Sequence, residues 1–301
     1  MLQIIRPLRK EPEIPRREAL GFFTDTSLCI GCKACEVACK QWNELPAEAP
    51  KWRGSSYDNT GQLSAQTWRH VQFIEQVGRE KPAVSIAEQI SIAQSNSAIP
   101  ASAPGMALPF FNSERWLMHS DVCKHCVNAP CLEACPTGAI IRTEFDTVYV
   151  QQDICNGCGY CIVACPFGVI ARDELHDHHA HKCTLCYDRL KDDLEPACAQ
   201  ACPTKSIQFG EVAQLKAHAR ERVTALHERG VREARLYGED GTILEGGLNS
   251  FFLLLDQPEV YNLPAQPARP SKNVAPASAW TILAALLLGL LGVSIFRGKK
   301  E

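Results

Sequence analysis

The sequence lacks several features that identify whole classes of protein. Its 301 residues carry no basic excess, since 31 lysines and arginines stand against 34 acidic residues and the net charge is −3. A chain without such an excess is a poor candidate for binding nucleic acid through the phosphate backbone. Glycine and proline, at 19 residues each, are too few for a collagen-like or wholly disordered chain. We therefore predict a globular protein of about two domains with no nucleic-acid partner.

Motifs of substrate chemistry are also missing. No glycine-rich phosphate loop follows a predicted strand, and no Ser/His/Asp arrangement stands out, so we predict no catalytic site. We also predict no signal peptide. Arg16 and Arg17 begin a segment similar to a twin-arginine signal, but Asp25 and Cys29 interrupt the apolar region that such a signal requires. An exported form would therefore cross the membrane with a partner that carries the signal.

Cysteine, in contrast, is abundant: the 16 cysteines form four groups of four, with none left over. The groups are Cys29, Cys32, Cys35 and Cys39 (group one), Cys123, Cys126, Cys131 and Cys135 (group two), Cys155, Cys158, Cys161 and Cys165 (group three), and Cys183, Cys186, Cys198 and Cys202 (group four). Groups one and three have the spacing C-x2-C-x2-C-x3-C. The middle gap is four residues in group two and eleven in group four.

This spacing is typical of bacterial ferredoxins, in which three thiolates of a group hold one iron–sulfur cluster and the fourth holds its neighbour. Pro136, Pro166 and Pro203 follow the last cysteine of three groups, where proline ends a helical turn, and Lys40 takes that place in group one. The alternatives fit less well. Structural zinc usually pairs two C-x2-C knuckles across a longer gap, and disulfides staple much smaller secreted domains. The sequence therefore predicts four [4Fe-4S] clusters.

The groups are repeats of one unit, because a turn and a short strand follow the last cysteine in groups two, three and four. We predict an α+β fold of two ferredoxin-like two-cluster modules, one of them split in sequence, plus a single C-terminal transmembrane helix. The predicted segments are an N-terminal extension (1–20), the split module of groups one and four (21–45 and 173–210), an insertion (46–118), the contiguous module of groups two and three (119–172), a C-terminal helix and cap (211–262), a proline-rich extended linker (263–277), the transmembrane helix (278–296) and a basic tail (297–301).

Other patterns predict individual elements. Residues 211–229 have the periodicity of an amphipathic helix that ends at Gly230, and residues 145–150 and 251–255 are typical of strands. Residues 85–108 are typical of a long loop, to which we assign no role. The histidines His176, His178, His179 and His181 are interpreted as a solvated loop rather than a metal site. We expect His125 to shape the surroundings of a cluster rather than to bind iron.

The C-terminal segment 278–296 contains no charged residue. As a helix it would be about 28 Å long, enough to cross the apolar core of a bilayer. A buried core helix is the alternative, but the preceding proline-rich segment argues against it. Arg297, Lys299 and Lys300 outnumber the basic residues on the other flank, so the positive-inside rule predicts a cytoplasmic C-terminus and an external cluster domain.

Several segments together resemble the iron–sulfur β subunit of membrane-bound respiratory formate dehydrogenase. They include CIGCKACEVACKQWN (29–43), YDNTGQLSAQTWRHVQFIEQ (57–76), QDICNGCGYCIVACPFGVI (152–170) and HKCTLCYDRLKDDLEPACAQACPTKSIQFG (181–210). The resemblance covers roughly residues 21–262 and includes many residues besides the cysteines. It is therefore more specific than a ferredoxin pattern alone.

The resemblance implies a crossed arrangement of ligands. Cluster 1 would be held by Cys29, Cys32, Cys35 and Cys202, cluster 2 by Cys183, Cys186, Cys198 and Cys39, cluster 3 by Cys123, Cys126, Cys131 and Cys165, and cluster 4 by Cys155, Cys158, Cys161 and Cys135. In each cluster, three cysteines come from one group and the fourth from its partner group.

The resemblance also implies a function and partners. A catalytic α subunit with a molybdenum or tungsten bis-pterin cofactor would oxidise formate, and this chain would relay single electrons to an integral-membrane γ subunit, a cytochrome b or similar quinone-reactive protein. The complex would lie in the bacterial inner membrane and serve anaerobic respiration, with its cluster domain in the periplasm. The alternative is the equivalent subunit of another molybdopterin oxidoreductase or of a membrane hydrogenase.

Overall fold

A computed structural model describes residues 17–48, 57–76 and 115–297. The helices are α1 (Ala34–Trp42), α2 (Pro130–Glu133), α3 (Tyr160–Ala164), α4 (Tyr187–Lys191), α5 (Ala197–Gln200), α6 (Val212–Glu228) and α7 (Val274–Arg297). The strands are β1 (Leu20–Asp25), β2 (Arg69–Gln76), β3 (Arg115–Val122), β4 (Ile140–Arg142), β5 (Val148–Val150), β6 (Ala171–Arg172), β7 (Ala180–His181), β8 (Ile207–Glu211), β9 (Arg235–Tyr237) and β10 (Ser250–Leu254). The loop 85–108 and most of the N-terminal extension and basic tail lie outside the described residues.

A four-stranded sheet with the order β8-β1-β10-β9 forms the centre of the core. Strand β1 precedes cysteine group one and pairs antiparallel with β8, which follows group four. It also pairs parallel with β10. Phe22 and Phe23 are fully buried, and the ring of Phe23 stacks on that of Phe251 at 5.5 Å. The sheet thus joins the two chain segments that flank groups one and four.

Helix α6 packs against β1 and β8. Its apolar residues Val212, Leu215, Ala219 and Leu226 are buried at helical spacing, and its polar residues face outward. The observed bounds lie within one residue of the predicted range 211–229. Gly230 follows with a φ of +88°, which suits glycine at the end of a helix.

Strands β2 and β3 form an antiparallel pair in which Arg69 is opposite Val122 and Gln76 is opposite Arg115. The predicted boundary between the insertion and the contiguous module, at residues 118 and 119, therefore falls inside β3. Local composition does not reveal this boundary, because the strand is defined by pairing with a segment on the other side of a long loop.

The C-terminal helix α7 begins at Val274, earlier than the predicted start at residue 278. A 3-10 turn, Pro270–Asn273, leads directly into it, so the segment 263–277 is not extended throughout. Pro270 is the first residue of that turn, a position where a fixed φ favours helical backbone. Among the described residues, one helix is long and apolar enough to cross a membrane, and the protein buries none of its apolar window.

Candidate metal centres

The residue before the second cysteine has a left-handed backbone in all four groups. The φ angles are +67° at Gly31, +42° at His125, +69° at Gly157 and +58° at Leu185. Such a turn points successive backbone N–H groups toward one point and creates a concavity suited to an anionic iron–sulfur cluster. His125 and Leu185 have side chains that disfavour this backbone, and both are fully buried, so packing holds the turn in place.

A short helix then separates the third cysteine from the fourth. Helices α2, α3 and α5 have four or five residues, whereas α1 has nine and extends to Trp42. The difference follows from Lys40, because this residue supplies the backbone N–H that proline lacks in the other groups. The Lys40 ammonium donates to the Gln66 carbonyl at 2.9 Å, which ties the longer helix to the segment before β2.

The four predicted ligands of cluster 1 line one small cleft, together with Ser120, Thr204 and Ser206. Burial raises the pKa of Cys29, and the neighbouring Cys202 and Cys32 thiols raise it further. Burial also raises the pKa of Cys35 to about 12. The structure therefore places Cys202 of group four beside three cysteines of group one.

The predicted ligands of cluster 2 also converge. Burial raises the pKa of Cys39 far above that of a free thiol, and Cys198, Cys183 and Cys186 raise it further. Helix α1 carries Cys35 and Cys39 one turn apart, and it packs against α5, which carries Cys198. The Trp42 indole N–H donates to Asp188 of α4 at 2.8 Å, a second link between groups one and four.

In groups two and three as well, the fourth cysteine of each group lies close to the thiols of the other group. Burial and then Cys123, Cys131 and Cys165 raise the pKa of Cys126. Burial raises the pKa of Cys161 to about 11, and Cys155, Cys135 and Cys158 contribute to that rise. Thus the Cys165 thiol lies close to group two, and the Cys135 thiol lies close to group three.

Three close approaches join thiols of different predicted ligand sets. Cys35 of cluster 1 is close to Cys198 of cluster 2. Cys183 of cluster 2 is close to Cys123 of cluster 3, and Cys131 of cluster 3 is close to Cys161 of cluster 4. These approaches connect the four predicted ligand sets in the order 1, 2, 3, 4.

Solvent exposure differs between the ends and the middle of this line. Cys32 of cluster 1 and Cys158 of cluster 4 are exposed, whereas all four thiols of cluster 2 are buried. In cluster 3, Cys165 is half-buried and the other three thiols are buried. None of the sixteen cysteines, all of which lie within the described residues, forms a disulfide. Buried, mutually repelling thiols of this kind fit iron–sulfur clusters, whose iron ions neutralise the thiolates.

Buried lysines lie among the thiols, although the sequence patterns did not single them out. Lys124, within group two, contacts Asp121 and donates to the Val122 carbonyl at 2.8 Å. Lys182, just before group four, donates to the Cys183 carbonyl at 2.9 Å and is close to the Cys123 and Cys131 thiols. Both lysines adjoin a cysteine in sequence, and that position is the signal that could have identified them.

His125 is fully buried, and the Val148 N–H donates to its Nδ1 at 3.1 Å. In the neutral ring, Nε2 then carries the hydrogen, and it has no partner among the described protein atoms. Burial holds the pKa of His125 far below its usual range, so the ring is neutral. An orphaned N–H donor beside Cys123 and Cys126 suits a cluster sulfur as its acceptor.

The histidine-rich loop is exposed, and its side chains pair with nearby aspartates. His176 Nδ1 is 2.9 Å from Asp173 Oδ2, and His181 Nε2 is 2.9 Å from Asp177 Oδ2. Asp173, Asp177 and His181 could approach a common ion, but each already has a hydrogen-bond partner.

Two family models match the chain, both described as 4Fe-4S dicluster domains. One covers residues 28–139 and the other residues 114–212. Together they include all sixteen cysteines, so the chain has two 4Fe-4S dicluster domains with ligands for four clusters. The zinc and disulfide alternatives have no support.

Individual relatives extend the match beyond the cysteines. The formate dehydrogenase iron–sulfur subunit of Haemophilus influenzae is 37% identical over 81% of this chain and 68% of its own length. The nitrate-inducible formate dehydrogenase iron–sulfur subunit of Escherichia coli is 38% identical over 81% of this chain and 71% of its own length. The B subunit of the Escherichia coli anaerobic dimethyl sulfoxide reductase is 30% identical over 65% of this chain and 75% of its own length. This chain therefore belongs to the family of formate dehydrogenase iron–sulfur subunits.

Proposed function

We propose that this chain relays single electrons from a formate-oxidising α subunit to a quinone-reducing γ subunit in the membrane. The observation that carries the proposal is the line of four cysteine sets with exposed thiols at its two ends. When bound, [4Fe-4S] clusters accept and release one electron at a time. The sixteen cysteines would hold them in the crossed sets, and the buried residues around clusters 2 and 3 exclude water from the middle of the line.

Exposed apolar side chains beside both ends support the presence of two partners. Ile30 and Val37 flank Cys32 and are 60% and 67% exposed. Tyr160 and Val163 follow Cys158 and are 63% and 89% exposed. Exposed apolar side chains near these cysteines would suit contacts with a partner protein.

The start of the membrane helix supports an assignment of the two ends. Arg269, just before α7, forms an ion pair with Glu133 at 2.8 Å and another with Glu245. Glu133 lies on α2, between Cys131 of cluster 3 and Cys135 of cluster 4. The γ subunit would therefore approach cluster 4 and the α subunit would approach cluster 1.

The first test is to purify the complex anaerobically with its membrane partners, add formate and record the iron–sulfur EPR spectrum. We expect formate to reduce several interacting [4Fe-4S] signals rapidly. Signals that dithionite produces but formate does not, in a complex that retains its α subunit, would instead assign the chain to a related molybdopterin oxidoreductase or hydrogenase.

The orientation is tested separately. With the cluster domain in the periplasm and the C-terminus in the cytoplasm, a protease added to spheroplasts should cleave the exposed loops of the cluster domain. Protection in spheroplasts, with cleavage in inverted vesicles, would reverse the orientation.

A further inference from the structure

Arg69, the first residue of β2, is a charged side chain inside the core. It is 1% exposed, and its pairing with Val122 places it beside the cysteine sets. Its Nη1 donates to Ser120 Oγ at 3.0 Å, and its guanidinium carbon lies 4.8 Å from the centre of the Phe22 ring. These contacts fix the guanidinium but leave its charge uncompensated.

Two of its three nitrogens, Nε and Nη2, have no hydrogen-bond partner among the described protein atoms. Within the described ranges, no carboxylate forms an ion pair with Arg69. A buried cation without a counter-charge is strongly unfavourable. The native fold therefore requires negative charge at this position from another source.

The groups around Arg69 that can supply this charge are thiols. Cys35 belongs to cluster 1, and Cys39, Cys183 and Cys198 belong to cluster 2. Ser120 Oγ bridges Arg69 to the Cys35 sulfur, which lies 3.4 Å from it. Arg69 thus lies between the first two ligand sets of the line.

We propose that Arg69 is a charge-compensating residue that raises the reduction potentials of clusters 1 and 2. Reduction adds one negative charge to a ligand set, and a fixed cation close to that set stabilises the charge in a low-dielectric interior. Nε and Nη2 supply donors for sulfur acceptors in the same place. The inference rests on the crossed ligand sets of the proposed function, but not on formate as the substrate.

The test is a potentiometric titration of the complete complex, with dithionite and redox mediators, followed by EPR. We expect Arg69→Gln to lower the equilibrium constant for one-electron reduction at two of the four clusters by about tenfold or more, which is roughly 59 mV. Arg69→Lys keeps the charge and should restore most of the difference. Arg220→Gln, on the exposed face of α6, should leave all four potentials unchanged.

Three results for Arg69→Gln would contradict this role. The first is that the equilibrium constants for reduction of all four clusters stay within about twofold of wild type. The others are an equal shift at all four clusters and a shift at one cluster alone. If Arg69→Gln lacks iron and sulfide, Arg69→Lys provides the decision. Full cluster content with near-native potentials in Arg69→Lys supports the charge role, whereas loss of clusters there as well indicates a purely structural role. Since the titration uses no formate, its outcome is independent of the identity of the substrate.

Discussion

Cys29 and Cys202 line the same cleft, although Cys29 begins the first cysteine group and Cys202 ends the last. The two thiols are close enough that Cys202 raises the pKa of Cys29. The pairing of β1 with β8 brings them together, because β1 ends just before Cys29 and β8 begins shortly after Cys202. Assembly of the proposed cluster 1 would therefore depend on contacts between distant parts of the chain.

Replacing Cys202 tests this dependence. We expect Cys202→Ser to alter the same EPR signal as Cys32→Ser, because both cysteines belong to cluster 1. Cys186→Ser serves as the matched control from group four and should alter a different signal, that of cluster 2. If the Cys202→Ser spectrum instead matched that of Cys186→Ser, the crossed arrangement would be wrong.

Lys182 provides a second test of charge along the line. It is 2% exposed and lies close to Cys183 of cluster 2 and to Cys123 and Cys131 of cluster 3. We expect Lys182→Gln to lower the equilibrium constants for one-electron reduction of clusters 2 and 3 by about tenfold, which is roughly 59 mV in reduction potential. Cluster 2 should then respond to both Lys182→Gln and Arg69→Gln. If no EPR signal shifted in both variants, the linear order would be wrong.

Arg222 on α6 compensates the fully buried carboxylate of Asp25 at the end of β1. Its Nε lies 2.8 Å from Asp25 Oδ2, while the Ser27 N–H and hydroxyl donate to Oδ1. Arg222→Met removes this ion pair and leaves the buried Asp25 carboxylate with its two hydrogen bonds from Ser27. We therefore expect a loss of about 2–3 kcal/mol in stability.

The measurement for Arg222 is thermal unfolding of the complex, followed by the loss of iron–sulfur absorbance. The midpoint should fall by roughly 4–10 °C. Arg220→Met, two residues away, removes only a pair with Glu239 in which the Arg220 side chain is 63% exposed, and it should cost less than about 1 kcal/mol. Equal midpoints for the two variants would show that the Asp25 pair contributes little.

Gly21 in β1 is required by the close approach of β10. A Cβ atom at this position would lie 1.8 Å from the Asn249 carbonyl oxygen, whereas a Cβ at its cross-strand partner Gly210 would meet only the Leu215 side chain at 4.0 Å. We expect Gly21→Ala to destabilise the protein by about 3 kcal/mol or more and Gly210→Ala by less than about 1 kcal/mol. The same unfolding assay compares them, and a native midpoint for Gly21→Ala would contradict the packing.

Local signals explain which features could be predicted from the sequence. The cysteine spacing, the amphipathic period of α6 and the apolar run of β10 all lie within short segments, and the structure places these helices and strands within one or two residues of their predicted positions. Proline follows the last cysteine of groups two, three and four, whereas Lys40 follows that of group one. This difference likewise accounts for the three short helices and the longer α1.

Features that depend on distant pairing could not be predicted in this way. Arg69 follows Trp68 in an ordinary half-polar segment, and only the register of β2 against β3 brings it beside the thiols. Ser120 was assigned to the contiguous module, although it contacts Cys35 of group one. Since a buried cation has no local sequence pattern, both residues emerge only from the three-dimensional arrangement.

The uneven exposure of the thiols also determines where oxygen and chelators would act. In the free subunit, Cys32 and Cys158 are open to solvent, whereas the cluster 2 thiols are enclosed. Oxidative damage and iron loss would begin at clusters 1 and 4. A subunit exposed to air would therefore lose electron transfer to both partners while clusters 2 and 3 remained intact. Tolerance of oxygen would therefore be a property of the assembled complex, because the partners proposed at the two ends would also cover Cys32 and Cys158.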